Sequence, residues 1–104
     1  MKTEVVDRPE EHRYELLADG QLAGFAEYQL SPGEILFIHT EIDEAYEGKG
    51  LGSVLVRHVL DDARRRGLAV LPLCPFLRGW IGRHEDYLDL VPPKARAKYR
   101  LPAA

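Results

Sequence analysis

The sequence predicts an α/β protein, an α+β arrangement on a mixed sheet in the order β-β-β-α-β-α. Three observations predict it. The dipeptide Asp19-Gly20 joins two stretches of strand character, a hairpin signal. A segment apolar on both faces, Ile35 to Ile38, runs on into a glycine-rich loop. Beyond that loop Leu51, Leu55, Val59 and Ala63 recur at helical spacing, and a short apolar stretch follows at once.

Each element has a local reason. Arg13 to Ala18 reads as the first strand and Leu22 to Leu30 as the second, with Ala26, Tyr28 and Leu30 on one face. Ser31-Pro32-Gly33 is the next turn. Glu34 to Asp43 is the third strand; its doubly apolar first half predicts a central strand covered on both sides. The helix runs from about Gly50 to Arg66. Arg64-Arg65-Arg66 suit the negative end of its dipole, and Gly67 suits a left-handed stop. Leu68 to Leu73 is a fourth strand, closed by Cys74-Pro75. A strand–helix–strand crossover makes the third and fourth strands parallel. Phe76 to about Arg83 is a second helix, buried through Phe76, Leu77, Trp80 and Ile81. Tyr87 to Val91 is a short helical turn before Pro92-Pro93. The basic stretch from Lys94 to Ala104 predicts a mobile tail, and residues 13–91 the folded core.

The 104 residues predict a single domain. A formal net charge of −3 gives no general attraction to nucleic acid. Cys74 is the single cysteine, which excludes an intramolecular disulfide and fits a reducing cytoplasm. Met1 to Glu11 is charged and does not read as a signal peptide, and no apolar run approaches the ~20 residues that span a bilayer. The spacing of Cys and His suggests no metal site.

The chemistry concentrates in Tyr46-Glu47-Gly48-Lys49-Gly50-Leu51-Gly52. A helix begins there with its first N–H groups unpaired, a terminus that attracts phosphate. Glycines let a ligand reach the main chain. A dinucleotide-binding fold wants an acidic residue ~20 positions on, and a P-loop wants Gly-Lys-Ser/Thr; neither is present. The plainer reading is a glycine turn that merely starts a helix.

On the third strand His39 and Glu41 alternate with Thr40 and Ile42, so His39 and Glu41 share a face. Ile35 and Phe37 extend that face by the same alternation. Cys74 ends the neighbouring parallel strand, so the spacing permits a His39–Cys74 pair across the mouth of the sheet. A histidine can take a proton from a thiol or an amine, and a thiolate can carry an acyl group. The bland readings are a hydrogen-bonded core histidine, a small buried cysteine and, for Glu41, an acidic strand end with Asp43 and Glu44. His84 and Tyr87 read as helix-capping residues, His12 and His58 as surface ones.

Glu47-x-x-Gly50-x-Gly52 resembles the pyrophosphate loop of the GNAT superfamily of acetyl-CoA-dependent N-acetyltransferases. The likeness is closer to a branch of minimal GNAT-like acetyltransferases, through His39-Thr40-Glu41, Tyr46-x-Gly48-x-Gly50, Cys74-Pro75-Phe76, and Trp80 with His84-Glu85-Asp86-Tyr87. It spans about Tyr14 to Val91. The resemblance implies acetyl-CoA as cosubstrate, with pyrophosphate on the N–H groups of Gly48 to Gly52 and Lys49 within reach of a phosphate. Its pantetheine arm would lie between the third and fourth strands, flanked by Thr40, Ile42, Pro75 and Phe76. The resemblance also implies roles for His39 and Cys74. Direct transfer to an amine, with His39 or Glu41 as base, is preferred over an acetylated Cys74. The wider superfamily carries Arg or Gln where this chain has Glu47, so that carboxylate must point away from the pyrophosphate.

Larger members carry helices between their first two strands. Here Asp19-Gly20 makes a tight turn, which predicts an open groove for a protein or peptide amine. The alternatives are a CoA-binding or regulatory module with little turnover, and an interaction domain whose glycine loop is only a turn. Nothing in the sequence suggests a membrane or nucleic-acid partner. The edge strand Arg13–Ala18 is free to pair with a peptide or a second subunit.

Overall fold

In the computed structural model, which describes residues 1–102, a five-stranded sheet has the order β1-β2-β3-β4-β5. The strands are β1 (Thr3–Arg8), β2 (Arg13–Ala18), β3 (Gln21–Ser31), β4 (Glu34–Ile42) and β5 (Ala69–Pro72). The helices are α1 (Leu51–Arg65), α2 (Pro75–Gly82) and α3 (Pro93–Lys98), with 3-10 turns at Pro9–Glu11, Glu44–Tyr46 and Glu85–Leu90. The first four strands form an antiparallel meander, and β4 and β5 run parallel around α1. The mixed sheet and its parallel pair are as the sequence predicts.

The large, fully buried side chains of the sheet lie on one face, Tyr14, Leu16, Tyr28, Ile35, Phe37 and Val70, with Ala26 among them. Against them α1 sets Leu51, Leu55, Val56, Val59, Leu60 and Ala63, so the predicted stripe holds and gains a second row. From α2 come Leu77, Trp80 and Ile81, but not Phe76, which is exposed at the start of the helix contrary to the sequence reading. Burial of each large apolar side chain here stabilises the fold by roughly 1.5–3 kcal/mol. Polar pins fix the layers. Tyr14 Oη donates to Asp62 of α1, and Trp80 Nε1 donates to Ser53 Oγ at 2.6 Å, tying α2 to the first turn of α1. Gly67 is left-handed, φ +68°, the helix stop its position predicts.

Four further expectations are corrected. β1 precedes the predicted first strand and pairs with it along its length, Thr3↔Ala18 to Arg8↔Arg13, so Arg13–Ala18 is not an edge. The β1 sequence is mostly polar because an edge strand needs only one half-buried face. Its Asp7 carboxylate accepts the hydrogen bond of Tyr28 Oη at 2.6 Å. β4 is not covered on both faces: Ile35 and Phe37 are buried, whereas Leu36 and Ile38 are half-buried. The basic stretch beyond Lys94 is not a loose tail as far as Pro102. Pro93 starts α3, Ala95 and Tyr99 are buried, and Leu101 packs on the core. Residues 103–104 lie outside the described residues. Leu30 shares the face of Tyr28 but ends its strand exposed.

Candidate active site

The site is made by what happens to β4 after Phe37. The register of β3 against β4 slips there: Tyr28 faces Phe37, but Glu27 faces His39, leaving Ile38 as an extra residue. Such a bulge breaks the in–out alternation of a strand. Ile35 and Phe37 point into the core, yet beyond the bulge it is Thr40 and Ile42 that are half-buried, while His39 and Glu41 are exposed. His39 and Glu41 do share a face, as predicted, but it is not the face of Ile35 and Phe37.

The ladder to β5 ends at the same place. It runs from Glu34↔Ala69 to Phe37↔Pro72, and the Cys74 N–H then donates to the Phe37 carbonyl at 2.9 Å. β4 continues to Ile42 while the chain after β5 turns into α2. The main-chain polar groups of that edge of β4 are thereby left for another partner.

Between the parting strands lies a cavity of about 330 Å³. Thr40 and Ile42 of β4, the loop residues Tyr46, Glu47, Gly48 and Gly50, Leu51 and Gly52 of α1, and Phe76 of α2 line it. Asp43 shapes the entry to the loop by accepting a hydrogen bond from the Ala45 N–H at 2.9 Å. Gly48 and Gly50 are left-handed, φ +77° and +73°, which favours glycine. A Cβ at either would meet nothing within 4 Å, so the main chain there is open to a ligand. Gly50 caps α1 without a side-chain hydrogen bond to the first turn. The unpaired N–H groups and the helix dipole together form an anion-receptive end. At Gly52 a Cβ would stand 2.7 Å from Phe76 Cζ, so the absence of a side chain lets the Phe76 ring lie on the helix start.

Lys49 is exposed and outside the cavity lining, and so is Pro75, which lines a neighbouring cavity. Glu47 does line it and is exposed.

His39 and Cys74 are not brought together. Cys74 is buried, and its thiol donates to Thr40 Oγ1 at 3.3 Å. His39 lies on the other face, with Nε2 3.4 Å from Glu41 Oε1 and its ring edge-on to Phe25 at 5.9 Å between centroids. The bulge at Ile38 is the physical reason. On that outer face Arg13 stacks over Phe25 at 4.9 Å, and a shallow cavity of about 190 Å³ lies between Phe25, Glu41 and Asp43. His84 Nδ1 meets the Trp80 carbonyl at 2.7 Å and its ring stacks on Trp80, the capping role expected of it. Tyr87 Oη donates to Asp61, which buries it against α1. Burial first, then the hydrogen bond to Asp61, raises its phenol above the usual range.

Sequence reasoning passes over Gly24. A Cβ there would stand 2.6 Å from the Glu41 carbonyl oxygen, so β3 closes on β4 only with glycine. Its signal is a glycine inside a strand pattern. Among the described residues, no group of three His, Cys, Asp or Glu side chains could hold a metal ion, and no helix is long and apolar enough to cross a membrane.

The parallel strands of a mixed sheet thus part beside an uncapped, glycine-led helix, which sets an anion-receptive helix end at the edge of the sheet. The family model described as GCN5-related N-acetyl-transferase matches residues 13–90, and the chain belongs to that family. It is 33% identical over 58 residues to the [Ribosomal protein bS18]-alanine N-acetyltransferase of Escherichia coli strain K12, covering 56% of this chain and 39% of that one. It is 44% identical over 52 residues to the streptothricin acetyltransferase of Streptomyces lavendulae, 48% of this chain and 28% of that one. The chain thus spans well under half the length of these curated relatives. Among solved structures, the Escherichia coli ribosomal-protein-S18-alanine N-acetyltransferase superposes with a TM-score of 0.55 at 30% identity, over 58% of this chain and 39% of that one. The N-acetylglutamate synthase of Neisseria gonorrhoeae, complexed with coenzyme A and N-acetyl-glutamate, shares the fold. It has a TM-score of 0.58 at 20% identity, over 92% of this chain and 26% of that one.

Proposed function

We propose that the chain is an acetyl-CoA-dependent N-acetyltransferase acting on a primary amine. The observation that carries this is the cleft between β4 and β5, closed at one end by the uncapped N-terminus of α1. Gly48 to Gly52 would bind pyrophosphate through main-chain N–H groups, and Thr40, Ile42 and Phe76 would flank the pantetheine arm. The acceptor would come from the outer face, where His39 and Glu41 stand exposed. In the reaction the neutral amine nitrogen bonds to the acetyl carbonyl carbon, the carbon–sulfur bond breaks and coenzyme A leaves as a thiolate, which takes its proton from solvent. The surplus proton of the amine passes to His39 Nδ1, with Nε2 turned towards the Glu41 carboxylate. Unpaired β4 N–H groups are the natural donors to the developing oxyanion.

Direct transfer is favoured over an acetylated cysteine because the Cys74 thiol is buried and engaged with Thr40, away from the face of His39. Cys74 is then a positioning residue for Thr40. Similarity to an alanine acetyltransferase of a ribosomal protein and to a streptothricin acetyltransferase supports an amine acceptor, protein or small. The half-covered outer face favours one that is not enclosed.

The test is release of free CoA thiol from acetyl-CoA as a function of added peptide amine, in wild type and His39→Ala. Amine-dependent release that falls in His39→Ala with acetyl-CoA affinity unchanged is the expected result. Acetyl-CoA binding without amine-dependent release would leave a CoA-binding module in its place.

A further inference from the structure

A cavity of about 470 Å³ lies outside the proposed cosubstrate cleft. It lies between one face of α2 and the segment that ends α3. Arg78, Gly79 and Gly82 form one wall; Lys98, Arg100 and Leu101 form the other. Among the described residues, three cations line it and no carboxylate does, in a chain whose net charge is −3. Among the described residues, the ion pairs of the protein draw on Arg8, Arg13, Arg64, Arg65 and Arg66, and on His39, not on these three cations. Unneutralised cations facing one hollow repel each other, and an anion between them relieves that repulsion.

The backbone adds an independent sign. Arg100 holds φ +58° where α3 ends, with the Leu101 N–H bonded to the Arg96 carbonyl at 2.8 Å. That is the helix-ending position at which glycine is favoured, and a side chain there costs roughly 1 kcal/mol. An arginine kept at this cost points to use of its guanidinium. The second wall lies beyond residue 90, outside the stretch that the family model matches.

The cavity adjoins the proposed cosubstrate cleft. Pro75 lines the one and Phe76 the other, at the first turn of α2, and Arg78 follows less than one turn later. We propose that this cavity holds the 3′-phosphate of coenzyme A, with Arg78, Lys98 and Arg100 as its ligands. The inference rests on the acetyl-CoA reading above. A phosphate monoester matches several converging cations better than one, and arginine forks pair with it bidentately.

Calorimetry with acetyl-CoA and with its 3′-dephospho form tests this, in wild type, Arg78→Ala and Arg100→Gly. Wild type is expected to bind the dephospho form roughly tenfold more weakly or worse. Both variants lose affinity for acetyl-CoA and keep their affinity for the dephospho form. Arg100→Gly also melts at a higher temperature, because glycine relieves the left-handed backbone, so its lost affinity is not a folding defect. Equal binding of the two forms by wild type, or variants that weaken both alike, would overturn the phosphate site and leave the acetyl-CoA reading standing. Binding of neither form would overturn both.

Discussion

The two faces of β4 beyond the bulge at Ile38 differ in almost every respect, although they alternate along four residues. Thr40 and Ile42 are half-buried and line the cleft, and Thr40 meets the Cys74 thiol. His39 and Glu41 are exposed and meet Phe25 and each other. One inserted residue, Ile38, separates them from the regular strand before it. The difference teaches that a strand can serve two ligands when a bulge hands its faces to different partners. Cosubstrate and acceptor can then meet at the strand edge from opposite sides.

The comparison breaks most severely at His39. If it is the base, His39→Ala lowers kcat by roughly 10²–10⁴-fold and leaves acetyl-CoA affinity unchanged, read by steady-state kinetics beside calorimetry. Next comes Gly24→Ala, which forces β3 away from β4 where both faces originate. Overpacking of this kind costs about 1–3 kcal/mol in denaturant unfolding, and acetyl-CoA affinity falls with it. Cys74→Ala sharpens the distinction. It removes a buried sulfur at a cost of roughly 1 kcal/mol yet leaves transfer substantially intact, whereas a covalent route would lose it. Glu47→Gln removes a carboxylate from the cleft lining and tightens acetyl-CoA by a few-fold, measured by calorimetry.

The smallest effect lies on the outer face, in its acid response. Hydrogen bonding from Arg13, then from Arg8, holds the Glu15 carboxyl below its ordinary value. A depressed folded value stabilises the protein above the ordinary carboxylate range and loses that stabilisation as pH falls through the folded value. Glu15→Gln should therefore lower the thermal midpoint modestly at pH 7 and flatten its decline below about pH 4, where the two proteins converge.

Much of this was legible in the sequence, and the gaps have physical causes. α1 was legible because four apolar residues, Leu51, Leu55, Val59 and Ala63, repeat at helical spacing and Gly67 stops it. The loop was legible because glycines at 48 and 50 interrupt a strand–helix junction. The bulge was not, since Ile38 is as apolar as its neighbours and only the pairing with Glu27 and Tyr28 reveals the slip. That slip alone undoes a His39–Cys74 pair that simple alternation permits. β1 was missed because pairing, not composition, makes Thr3–Arg8 a strand. α3 was missed because its basic residues hide the three that hold it down, Ala95, Tyr99 and Leu101.

The central claim is that the end of α1 is a phosphate cradle opening on the β4–β5 cleft. Titration of acetyl-CoA into wild type and Gly50→Asp, each with its circular dichroism spectrum recorded, tests it most directly. Binding by wild type that disappears in a folded Gly50→Asp is the predicted result. Absence of binding by wild type, or equal binding by the variant, would contradict it.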